Sequence, residues 1–173
     1  MNYAEIKNCD IANGPGVRVS LFVSGCTHHC PGCFNQVTWD FDYGQPFTQD
    51  TIDHILKLLE PSYIKGLTVL GGEPFEPRNQ PWVLGLLLQV RARYPEKSIW
   101  VFTGYLFDRD LASSTYPVTQ ELLNQIDVLV DGPFIQAKKN LSLRFKGSEH
   151  QRIIDVPTSL RSGQVELWSD PST

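Results

Sequence analysis

No stretch of this 173-residue chain is apolar for long enough to cross a bilayer. The longest candidate, Trp82 to Val90, is interrupted by Gly85 and Gln89. Residues Met1 to Lys7 carry charges and lack the apolar core of a secretion signal, so a cytoplasmic protein with no membrane partner is expected. Positive charge is also in short supply. A net charge of -4 supplies no general field for a polyanion, so nucleic acid is not an expected partner. Cysteine is scarce, with four copies, and three of them crowd into Cys26 to Cys33, where they cannot all pair; a disulfide-stapled secreted fold is excluded. No disorder signature is present either, since hydrophobic residues make up 41% and charged residues 20%. The length suits one domain with a real core, expected over residues 1–156, followed by an irregular tail over 157–173.

What the sequence does have is a loop of metal-ligand chemistry. Cys26-Thr27-His28-His29-Cys30-Pro31-Gly32-Cys33 is a CxxxCxxC run. Thiolates are soft ligands for iron–sulfur clusters or zinc, and this spacing lets one short loop wrap a single centre. Three thiolates on a cube-shaped four-iron cluster leave one iron open for a substrate, as a catalytic zinc site keeps one position free. The competing arrangement is a closed zinc site of three cysteines plus His28 or His29. Cys9 stands apart and reads as a small buried apolar residue.

Hydrophobic periodicity places this loop at the end of a strand. Val17, Val19, Leu21 and Val23 alternate with Arg18, Ser20 and Phe22, after a turn-rich lead-in over residues 10–16. Residues 34–39 suit a short helix. Thr48 is placed to cap a helix whose apolar face is Ile52, Ile55, Leu56 and Leu59, stopped by Pro61. A strand over 66–70 runs into Gly71-Gly72-Glu73-Pro74, where two glycines let a ligand approach the backbone. Next come a helix opened by Pro81, a strand over 98–102 closed by Thr103-Gly104-Tyr105, an irregular stretch over 106–117, a brief helix over 121–125, and a strand over 126–130 leading to Asp131-Gly132-Pro133-Phe134. Residues 151–156 suit a fifth strand. The βαβα alternation predicts an α/β fold with mostly parallel strands, as a sheet or an open barrel, and four strand ends on one C-terminal edge. The basic segment with Lys138, Lys139, Arg144, Lys146 and Arg152 reads as a solvated face, with docking of a partner or clamping of a carboxylate as alternatives.

These residues resemble the radical S-adenosylmethionine enzymes. The cysteine motif matches their cluster loop, and Gly71-Gly72-Glu73-Pro74 matches their segment for the methionine amino group. Asn13-Gly14-Pro15-Gly16-Val17-Arg18, Cys30-Pro31-Gly32-Cys33-Phe34-Asn35, Trp100 to Tyr105 and Val130 to Phe134 narrow the resemblance to the glycyl-radical activases that act on anaerobic ribonucleoside-triphosphate reductase. It covers about residues 1–155. The resemblance implies an incomplete (β/α) barrel, with Cys26, Cys30 and Cys33 holding a 4Fe-4S cluster whose fourth iron is chelated by S-adenosylmethionine. It also implies reductive cleavage to methionine and a 5'-deoxyadenosyl radical, which takes a hydrogen from a glycine of the reductase. Gly71, Gly72, Glu73 and Pro74 then serve the methionine amino group, Gly32, Cys33 and Phe34 lie along the cofactor, and Thr103, Gly104 and Asp131 line its ribose or carboxylate side. A flavodoxin- or ferredoxin-type electron donor is implied as a second partner. On this basis Gly72→Val is expected to leave the cluster in place and weaken cofactor binding.

The chain departs from the pattern at three places. Gly32 stands where many members carry an aromatic residue, so no side chain at 32 can contact adenine. Pro133 stands where related activases have a lysine. Glu149 and His150 interrupt a segment that usually reads Gly-Ser-Ser-Asn-Gln. Two other functions compete: a small radical S-adenosylmethionine enzyme acting on a metabolite, such as a 7-carboxy-7-deazaguanine synthase, and a non-enzymatic zinc-binding interaction module.

Overall fold

The computed structural model describes residues 1–171. Its seven strands are β1 (Asn2–Asp10), β2 (Val17–Val23), β3 (Gln45–Pro46), β4 (Ile64–Gly71), β5 (Ser98–Phe102), β6 (Val128–Asp131) and β7 (Arg152–Asp155). They form one open sheet in the order β3-β1-β2-β4-β5-β6-β7. The central pairs β2–β4, β4–β5 and β5–β6 are parallel, while β1, β3 and β7 join antiparallel at the flanks. The fold is thus mixed α/β with a mostly parallel centre, as the alternation predicts. The sheet does not close.

The helices are α1 (Gln49–Leu58), α2 (Gln80–Arg93), α3 (Pro117–Leu123) and α4 (Val156–Ser162). A capping box between Thr48 and Thr51 starts α1, and Pro81 sits in the first turn of α2, where its missing N–H costs nothing. Strand period 2 sorts the sheet into two faces. Val19, Leu21, Val23, Leu67, Val69, Ile99, Val101 and Leu129 share the main core with Ile52, Ile55, Val83, Leu86, Leu87 and Leu122 of the helices. The other face carries Arg18, Ser20, Thr68, Trp100, Val128 and Val130, all buried. Arg18 spends its guanidinium there on Thr68, Ser98, Pro15 and Leu67, and Thr68 in turn holds Asn13, so the lead-in loop is pinned to the sheet.

Three expectations need correction. The chain's first strand is β1, because residues 2–10 gain their pairing from β2 and not from any apolar alternation of their own. Cys9 is exposed rather than buried: β1 pairs with β3 only at Asn2 and Tyr3, so its far end is an outer edge, and Cys9 falls in a register shift there. The tail expected to be irregular carries α4, begun by Asp155 accepting from Thr158 N–H at 3.0 Å and ended at Gly163, and then returns along β7. Within the 106–117 stretch, residues 107–111 form a single π-helical turn. Among the described residues no helix is long and apolar enough to cross a membrane.

Candidate functional site

The C-terminal ends of β2, β4, β5 and β6 converge on a cavity of about 530 Å³, within the range of small-molecule sites. The cysteine loop leaves β2 at this edge and is fastened at several points. The Glu76 carboxylate accepts from the Thr27 N–H at 2.7 Å and from its hydroxyl at 2.6 Å. The 3-10 turn Gln36–Trp39 accepts from the loop's start, Gly25 N–H to Thr38 C=O at 2.7 Å and Cys26 N–H to Trp39 C=O at 3.2 Å. Asn79, fully buried at the head of α2, donates to Ser24 C=O and to Glu73 C=O, both at 3.0 Å. Sequence spacing does not reveal the Glu76 and Asn79 anchors, which lie about fifty residues beyond the segment they hold.

Glu73 is the hub. Its side chain is 1% exposed, and Oε1 accepts from Gly104 N–H at 2.7 Å and contacts His28 Nε2 at 2.8 Å. Oε2 accepts from the Thr103 hydroxyl at 2.7 Å and from Phe75 N–H at 2.9 Å. A carboxylate offers about four lone-pair positions, and this chain fills them all. One side chain therefore joins the ends of β4 and β5 to the middle of the cysteine loop. The hydrogen bond to Glu73 raises the His28 pKa against the opposing effect of burial. Burial pushes the Cys26 thiol up to about 12, with Glu73 and Glu76 adding to it, and raises Cys30 as well. Such thiols stay protonated unless a cation displaces the proton and binds the thiolate, which is what a bound metal does.

Cys26, Cys30 and Cys33 all line the cavity, and Asn35 N–H donates to Cys33 Sγ at 3.4 Å. Among the described residues no three ligating side chains yet surround a common centre, so a metal group would draw the thiols together. Three soft donors on one wall, one already receiving an amide, fit an iron–sulfur cluster. His28 spends Nε2 on Glu73, and His29 stacks on Trp39 with ring centroids 4.5 Å apart.

Of the other residues singled out from sequence, Phe34, Gly71, Gly72, Glu73, Thr103 and Gly104 also line the cavity. Gly32, Pro74 and Asp131 do not. Asp131 is fully buried and accepts from Arg152 Nε at 3.0 Å, from the Arg152 guanidinium at 2.6 Å and from Phe107 N–H at 2.8 Å. The carboxylate clamp considered for the basic segment thus exists, and its carboxylate is internal. The remaining wall was not foreseen. Ala12 and Asn13 of the lead-in loop contribute to it, as do Asn140, Leu141, Leu143, Phe145 and Lys146 of an excursion closed by the Lys139–Ser148 bridge. Gln151 secures its base, accepting from Gly147 and Ser148 N–H and donating to Gly132 C=O at 2.9 Å.

The chain has relatives among known proteins. Residues 12–154 match the 4Fe-4S single cluster domain family. The chain is 44% identical over 155 residues to the anaerobic ribonucleoside-triphosphate reductase-activating protein of Enterobacteria phage T4, covering 88% of this chain and 93% of the relative. It is 45% identical over 153 residues to the protein of that name from Escherichia coli strain K12, covering 87% and 96%. The Vibrio cholerae protein of that name is 44% identical over 155 residues, covering 88% and 97%.

Proposed function

The chain belongs to the family of anaerobic ribonucleoside-triphosphate reductase-activating proteins, with their 4Fe-4S cluster domain, and from that premise we propose that it generates a glycyl radical on such a reductase by reductive cleavage of S-adenosylmethionine. The observation that carries the reading is the union of three cysteines and the Gly71-Gly72 turn on one cavity. Bound there, a reduced cluster would supply the one electron that cleaves the sulfonium to methionine and a 5'-deoxyadenosyl radical, which would take a hydrogen atom from a glycine of the reductase. Cys26, Cys30 and Cys33 hold the cluster. With the Glu73 side chain saturated by its own neighbours, the methionine ammonium falls to the backbone of Gly71 and Gly72, and Glu73 shapes that backbone. Phe34, Thr103 and Gly104 line the rest of the cofactor's berth, while Gly32, Pro74 and Asp131 act from behind it. The open sheet supports the incomplete-barrel expectation, because a protein substrate needs an unblocked side through which a loop can enter.

The test is an anaerobic assay of the reconstituted, dithionite-reduced protein with S-adenosylmethionine, following 5'-deoxyadenosine by chromatography and the glycyl radical by electron paramagnetic resonance. Both products are expected, the radical only when an anaerobic ribonucleotide reductase is added. Cleavage without that signal would move the substrate to another protein or a metabolite, and zinc in place of iron would end the reading.

Gly72→Val is expected to do more than weaken cofactor binding. A Cβ at 72 would lie 2.6 Å from Gly25 C=O and 2.8 Å from Thr38 C=O, the backbone that positions Cys26. Neither atom can swing aside as a side-chain tip would. The variant should therefore retain less than about a tenth of the iron of the unaltered protein after reconstitution, measured by metal analysis. Full iron content with only cofactor affinity reduced would show that the turn and the cysteine loop move independently.

A further inference from the structure

The family match ends at residue 154, yet the chain continues into an ordered return along β7. After α4, Asp155 N–H donates to Glu166 C=O at 2.9 Å and Trp168 N–H to Ile153 C=O at 2.8 Å, with Leu167 opposite Ile154. This pairing puts Trp168 on the sheet face turned away from the helices. There it meets Trp100 edge-on, with ring centroids 4.9 Å apart. Phe145 meets the same Trp100 ring at 5.3 Å and stands 6.5 Å from Trp168. Its neighbour Arg144 ion-pairs with Asp170. Phe145 belongs to the excursion that contributes a wall of the cavity.

Among the described residues, the hydrogen bonds that tie this excursion to the rest of the chain gather at its base. Gln151 holds Gly147 and Ser148, and Gly147 abuts Phe34 and Phe134. Toward the tip its hydrogen bonds are local, Ser142 and Leu143 turning back on Asn140, and Leu141 is 82% exposed. Contacts from the tail supply what the tip lacks. We propose that residues 164–170 form a strap that holds this wall in place, with Trp168 as a positioning residue for entry of the protein substrate. The assignment of the substrate rests on the activase reading. The strap itself rests on the aromatic contacts and the ion pair.

The experiment compares Trp168→Ala and Trp168→Phe in the full chain by hydrogen exchange and by steady-state kinetics. In Trp168→Ala the amides of Ser142 and Leu143 should exchange about tenfold faster while those of β4 and β5 keep their protection, and phenylalanine should restore most of the difference. The KM for the reductase should rise about tenfold in the alanine variant, with S-adenosylmethionine cleavage in the absence of reductase unchanged. Unchanged exchange at 142–143 overturns the strap. So does equal loosening of β4 and β5, which would make Trp168 a general stabiliser. If the unaltered protein makes no 5'-deoxyadenosine, the activase reading fails, and the exchange result still decides whether the strap exists.

Discussion

Alanine at any one of Cys26, Cys30 or Cys33 should leave the anaerobically reconstituted protein without its brown cluster absorbance, while Cys9→Ala should keep it in full. The contrast follows from placement. The first three thiols share one cavity wall, whereas Cys9 lies exposed on the outer edge of β1. A cluster held by three thiolates has no spare protein ligand. Loss of one leaves two donors, and the energy at stake is large, since structural metal sites contribute about 10 to 16 kcal/mol. The readout is the visible spectrum together with iron and sulfide content. An unaltered spectrum in Cys30→Ala would sink the ligand assignment, and a lost one in Cys9→Ala would require a fourth protein ligand.

Glu73→Ala should be nearly as damaging, and it should act on the scaffold before it acts on the cofactor. Four groups from three chain segments meet at this carboxylate, which is 1% exposed. Each buried donor left unpaired costs about 1 to 3 kcal/mol, so several kcal/mol are lost from a domain stability of about 5 to 15 kcal/mol. A midpoint in thermal unfolding lower by ten degrees or more is expected, on the scale of about 2 to 4 °C per kcal/mol for a chain of this size. Glu73→Gln keeps the shape but turns an NH₂ toward two of the four donors, so it should recover only part of the loss. Circular dichroism of the metal-free protein measures this without reference to activity. A midpoint within a degree of the unaltered protein would mean that Glu73 serves the ligand alone.

Much of this architecture was readable because its signals are local. Val17 to Val23 announces itself by alternation and the other three central strands by short apolar runs ended at Gly71-Gly72, Thr103-Gly104 and Asp131-Gly132, while Thr48 and Pro81 mark helix starts through chemistry completed within a turn. The flanks were harder. β1 is mostly polar, and the return at Val165 to Trp168 is too short to carry a period; both are ordered by partners elsewhere in the chain. The site divided the same way. The cysteines and the glycine pair were legible as motifs, whereas the bonding of His28 to Glu73, of Thr27 to Glu76 and of Asp131 to Arg152 depends on pairs 45, 49 and 21 residues apart. Asp131 shows the hazard of position alone: it ends a strand at the functional edge, and its charge is consumed by β7.

The long reach of these anchors also sets a clock on biogenesis. The cysteine loop emerges from the ribosome early, but Glu76, which grips Thr27, is translated 49 residues later. At about 5 to 20 residues per second, that interval lasts about 2 to 10 s. Throughout it the three thiols are attached to a strand that has no parallel neighbour, open to oxidation and to stray metals. The hydrogen bonds that hold Ser24 and Thr27 can therefore form only after β4 and the head of α2 have been translated.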